Sequence, residues 1–153
     1  MFDAKAFMDA SVKAPLSTSI EVCPEGTFPF IIDTDENAVS FRAGEKDGRQ
    51  WIRGEIVCVC QDEKVKADLG RDRITARFGG FIDIDEKTGA LDISKGKNVW
   101  VGQLREAVGQ NNDKAWNWNM LKGAGPFLGV VKQTEDPNDP SRKYANITRV
   151  AKK

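Results

Sequence analysis

The sequence predicts a mainly β domain of five strands, with a helical segment between the third and the fourth. Two patterns carry that expectation. Stretches in which apolar and polar residues alternate recur along the chain, separated by turns rich in Gly, Pro and Asp. One stretch near residue 100 instead repeats its apolar residues every three or four positions, as a helix does. The longest apolar run, Ile56 to Cys60, falls far short of the roughly 20 residues of a membrane-spanning helix.

Residues 1–17 read as an N-terminal arm or short helix carrying Phe2, Phe7 and Met8, broken at Pro15. They lack the apolar core of a signal peptide, so none is expected. Thr18 to Val22 reads as a short strand. After the Pro24-Glu-Gly26 turn, Thr27 to Phe41 has strand character, with Phe28, Phe30 and Ile32 on one face. Pro29 implies an edge or bulged position. Ala43 to Gly48 is a hairpin turn, with Asp47-Gly48 its strongest signal. Arg49 to Gln61 is the clearest strand. Ile52, Ile56, Cys58 and Cys60 share one face; Trp51, Arg53, Glu55, Val57 and Val59 share the other. Arg71 to Ile84 is the third strand, with Gly79-Gly80 allowing a sharp bend. Val99 to Gly109 is the helix, its stripe being Val101, Leu104, Ala107 and Val108, and Ala115 to Leu121 a further helical turn. Gly125 to Thr134 and Arg142 to Val150 are the last two strands, joined by a polar loop over 135–141. Three strands, a helix and two strands is the order of a five-stranded oligonucleotide/oligosaccharide-binding (OB) barrel. One OB-like domain over 18–150 and a short basic tail over 151–153 follow.

Twenty-three basic and 23 acidic side chains cancel. That argues against nucleic-acid binding by bulk attraction and leaves room for a local basic groove. The chain has no histidine, which removes the commonest general base and most zinc sites. Cys23, Cys58 and Cys60 form no CxxC and read as buried thiols of a reducing cytoplasm. Gly123-Ala-Gly125 lacks the lysine of a phosphate-binding loop. The acidic clusters Asp62-Glu63, Asp83/Asp85 and Asp136/Asp139 all fall in expected turns. A nuclease would need carboxylates converging from separate elements. No catalytic residue, metal or cofactor is therefore expected.

Binding residues are better represented. Single strands are held by a positive groove with aromatic faces for base stacking. Trp51 and Arg53, with Arg49 at the strand's mouth, lie on the outward side of the second strand, and Arg73 and Arg77 on that of the third. Lys132 is on the fourth; Tyr144 and Arg149 are on the last. The binding face of an OB barrel centres on its second and third strands. In Trp116-Asn-Trp118, residues two apart cannot share one helix face. One tryptophan, Trp116, is expected to pack inward, and Trp118 to be exposed for stacking or docking. Trp100 is expected in the core.

Pro24-Glu-Gly-Thr-Phe28, Trp51 to Val59, Leu104-Arg-Glu-Ala-Val-Gly109, Leu121-Lys-Gly123 and Tyr144-Ala-Asn-Ile147 occur in an order that resembles the phage single-stranded-DNA-binding proteins of replication and recombination gene clusters. The resemblance covers roughly residues 18–150. It implies an OB barrel without catalysis, holding single-stranded DNA in the host bacterial cytoplasm beside replication or recombination proteins. The basic end, Arg149-Val-Ala-Lys-Lys153, departs from the acidic, partner-recruiting tail of bacterial single-strand-binding proteins. An edge strand at 27–41 offers a surface for pairing into a homo-oligomer. The alternative is a protein-interaction module that docks on a host or replication protein through Trp116, Trp118 and the 135–141 loop.

Overall fold

A computed structural model describes residues 1–153. The elements are α1 (Ala4–Asp9), β1 (Gly26–Ile32), β2 (Val39–Lys46), β3 (Arg49–Cys60), α2 (Glu63–Leu69), β4 (Thr75–Phe81), α3 (Val99–Ala107), a 3₁₀ turn (Trp118–Leu121), β5 (Phe127–Asp136) and β6 (Asp139–Lys152). Five strands form a closed ring in which β1 pairs with β3 and β5, β4 with β3 and β6, and β5 with β6. Only the β4–β6 contact is parallel. The helix α3 falls between the third and fourth ring strands, so both connectivity and helix placement are OB-like. No helix is long and apolar enough to cross a membrane.

The core follows from the alternation. Phe30 and Ile32 of β1, Ile56, Cys58 and Cys60 of β3, Ala76 and Phe78 of β4, Phe127 and Val131 of β5, and Ala145 and Ile147 of β6 are buried inside the ring. Phe30 and Phe127 stack at 6.2 Å. The helix α3 adds Leu104 and Ala107 to this cluster. Trp100 at its start packs edge-on against Phe78 at 5.7 Å and donates its indole N–H to the Phe81 carbonyl at 2.9 Å. Gly54 and Gly80 are opposite each other on β3 and β4. A Cβ on Gly80 would stand 2.7 Å from the Trp100 ring, and one on Gly54 2.8 Å from Ile82. These glycines make room for the indole as well as for curvature.

The long first strand expected over Thr27 to Phe41 is two strands. Asp35 turns the chain between them, its carbonyl accepting from Ala38 N at 3.0 Å and its carboxylate from Asn37 N at 2.8 Å. The hairpin turn is only Asp47-Gly48, so Ala43 to Lys46 belong to β2, and Lys46 pairs with Arg49. Pro29 is not on an edge. β1 pairs with β5 through residues 26–30 and with β3 through 30–32, and Pro29 sits at that changeover. The exposed edge is β2, which pairs only with β3.

Asp62-Glu63 is a helix start rather than a free turn. Asp62 caps α2 by accepting from Val65 N at 3.0 Å, and Gly70 ends it in the left-handed conformation. Thr18 to Val22 forms no strand, and the third strand begins at Thr75 rather than Arg71. The expected 135–141 loop is a tight Pro137-Asn138 turn between two continuing strands. A bulge between Val130 and Val131 flips the alternation of β6 near Thr148. Arg149, which would otherwise follow Ala145 and Ile147 inward, is exposed, while Val150 packs on the core.

Candidate nucleic-acid interface

Strand register decides which side chains share the outer face of β3 and β4. Residues directly opposite in a ladder project to the same side. On β2 and β3 these pairs are Arg42 with Arg53, Gly44 with Trp51, and Lys46 with Arg49. On β4, Phe81 stands opposite Arg53, and Arg77 opposite Val57. Beyond β4, Arg77 meets Asn146 of β6, which is opposite Lys132 of β5. Trp51, Arg53, Arg77 and Lys132 thus lie on one continuous surface with Arg42, Lys46 and Phe81.

Its densest part is the hairpin end. Trp51 lies across Gly44, where a Cβ would come within 2.5 Å of the indole. Phe81, 64% exposed, meets Trp51 edge-to-face at 6.3 Å, and the Arg53 guanidinium lies 5.4 Å from the Phe81 ring centre. Trp51, Arg53, Arg49, Lys46 and Phe81 line a depression of about 630 Å³. None of Arg42, Lys46, Arg49 and Arg53 forms a salt bridge. Two like-charged pairs therefore face each other across one ribbon, an arrangement that costs stability until an anion lies between them.

The other two arginines expected at the centre are committed elsewhere. Arg73 is ion-paired with the buried Asp33 at 2.7 Å. The Arg73 guanidinium and the Thr34 N–H hold the Asp33 carboxyl below the usual carboxylate range. Arg77 is ion-paired with Glu55. It also lines a groove of about 850 Å³ with Thr75, Arg142, Lys143 and Tyr144, to which Ser17 to Ile20 and Val22 contribute as well. In that groove the Tyr144 hydroxyl donates to Asp136 at 3.0 Å, and Arg142 lies over the Tyr144 ring at 5.6 Å.

Trp118 is on the other side of the β2–β3 hairpin. Residues 115–117 are not helical and Asn117 is extended, so the two tryptophans flanking it do fall on one side. Trp116 and Trp118 meet at 5.2 Å, and Trp118 packs on Phe41 at 4.9 Å and Trp100 at 6.3 Å. Both tryptophans are half-buried. With Ile52, whose side chain points away from Trp51, they line an apolar groove of about 570 Å³.

Sequence reading did not place Arg42, Lys46 or Phe81 among the candidates. Had the turn been confined to Asp47-Gly48, counting outward would have put Lys46 beside Arg49 and Arg42 beside Arg53. All three cysteines are free and buried. A hydrogen bond to Cys60, with burial, pushes the Cys23 thiol up; burial does the same to Cys58. No protein-family model, curated protein or solved structure matches the chain.

Proposed function

We propose that the protein binds single-stranded DNA without sequence preference, on the outer face of β3 and β4, and performs no catalysis. The observation that carries the reading is the ribbon of four cations without salt bridges, Arg42, Lys46, Arg49 and Arg53, set around Trp51 and the exposed Phe81. Phosphates answer the cations, and bases stack on the two rings. A neutral chain has no general attraction for nucleic acid, so a local cluster of this kind is what such binding requires. From the hairpin the surface continues past Arg77 to Tyr144. Register makes that path about eight residues along the strands and two strands across, roughly 28 Å. The OB-like ring supports the reading, since such folds present strands two and three to ligands. The ordered resemblance to phage single-strand-binding proteins supports a role in phage replication and recombination, in the host cytoplasm.

Titrating intrinsic fluorescence with oligo-dT, duplex DNA and single-stranded RNA tests it. Quenching by oligo-dT that Trp51→Phe largely removes is expected, because Trp51 alone of the four tryptophans lies on this face. No quenching at low salt refutes the reading. Equal response to RNA would widen the ligand to single strands in general.

A further inference from the structure

We infer that the apolar groove beside Trp118 receives residues 1–16 of a second copy of this chain, so that two copies exchange arms. Every residue from Met1 to Ile20 is exposed, including Phe2, Phe7, Met8, Val12, Leu16 and Ile20. The helix α1 is capped by Asp3 and buries none of its residues, although Phe2 and Phe7 already cluster at 5.4 Å. Runs of exposed apolar side chains on this scale mark interaction surfaces. The same chain carries a complementary surface. Ile52, Ile82, Ile84, Leu91, Ile93 and Trp118 line the groove, and Ile93 is 92% exposed. Phe41, Trp116 and the Arg105 side chain complete the lining, and its aliphatic part suits the apolar face of a short helix.

Geometry favours a second copy over the chain's own arm. Cys23 is buried with its carbonyl held by Gln133 at 3.0 Å, and Glu21 is held by Arg71, which anchors the arm's root. From there Ser17 to Val22 run beside Thr75, Arg77 and Tyr144, on the outer face. The groove opens at the far end of β3, on the opposite side of the β2–β3 hairpin. The root lies near Cys60, so Ile52 is eight residues, about 26 Å, away. To fill its own groove the arm would have to wrap around the sheet edge; reciprocal exchange about a two-fold axis avoids this. Each phenylalanine buries about 150–250 Å². Phe2 and Phe7, with Met8, Val12 and Leu16, are each about 70–80% exposed, so both arms have most of their apolar surface left to bury in such an exchange. The arm carries two acids and two lysines, Asp3, Asp9, Lys5 and Lys13, so its side-chain charges cancel.

Sedimentation of the full chain at low and high salt tests this independently of DNA binding. A dimer at both salts is expected. Phe2→Asp/Phe7→Asp should halve the mass, and so should Ile93→Asp, whose side chain is too exposed for the change to unfold the domain. Mixing the two variants should restore a dimer, because one intact arm then meets one intact groove. A wild-type monomer, or a dimer that survives both sets of changes, overturns the proposal. So does a monomer whose Lys5 and Lys13 resist trypsin, which would put the arm in its own groove. Oligo-dT binding by the monomeric variants is read separately: its loss or retention bears on the cationic face and leaves the mass result standing.

Discussion

Replacing Arg53 and Arg73 with alanine, one at a time, separates a cation that meets phosphate from one that holds the fold together. Sequence spacing puts both on the binding strands. In the structure Arg53 has no carboxylate partner and lies over Phe81, whereas Arg73 is bound to Asp33 at 2.7 Å. For a single strand, the slope of log affinity against log salt is about −0.7 per neutralised phosphate. Four contacts from Arg42, Lys46, Arg49 and Arg53 give about −2.8. Arg53→Ala should bring the slope to about −2.1, which at 0.1 M salt is roughly a fivefold loss of affinity relative to the 1 M reference. Arg73→Ala should leave the slope at its wild-type value. Fluorescence anisotropy of a labelled oligo-dT, titrated at several salt concentrations, reads both. Equal changes in slope for the two variants, or none for Arg53→Ala, would refute the assignment of phosphate contacts from ion pairing. Glu55→Gln, which releases Arg77 from its partner, should steepen the slope by up to about 0.7.

Trp51→Ala should weaken oligo-dT binding by about 1–3 kcal/mol at every salt concentration without altering the slope, which calorimetry at two salts would show. Asp33 has its pKa lowered on folding, so its contribution to stability is present above the unfolded carboxylate value of about 4 and is lost as pH falls through the lower folded value. Asp33→Asn should therefore cost about 1 kcal/mol at pH 7, a modest figure because Arg73 is largely exposed, and progressively less as pH falls below about 4; urea melts at pH 7 and at a series of acid pH values check it. Asn98 accepts from Asp83 N at 2.9 Å and donates to the Asp83 and Asp92 carbonyls at 2.8 Å, pinning the 83–98 excursion to the start of α3. Asn98→Ala should lower stability by about 2 kcal/mol, visible as a fall of several degrees in Tm. Gly80→Val should cost more, because its side chain would occupy the place of the Trp100 indole; an unchanged melting curve would contradict that packing.

What the sequence by itself determined is the alternation, and with it the buried face of the ring strands that run without a bulge, β3 most clearly. Period-2 burial of Ile56, Cys58 and Cys60 requires only that β3 have a dry side and a wet side, which is a local property of the chain. The α3 stripe was legible for the same reason. The short helix α2 was not, although its Asp62 cap and Gly70 stop are in the sequence, because seven residues give too little periodicity to announce a helix. Only the tertiary structure decided which outward cations lack carboxylate partners. Asp33 and Arg73 are 40 residues apart, and Glu55 and Arg77 are 22 apart, so neither pairing can be read from local spacing. The ring brought those carboxylates to two of the expected arginines and set Arg42, Lys46 and Phe81 beside Trp51 and Arg53. It also turned Trp118 to the opposite side of the hairpin. A side chain's charge belongs to the sequence; whether that charge is left over for a ligand depends on what folding places next to it.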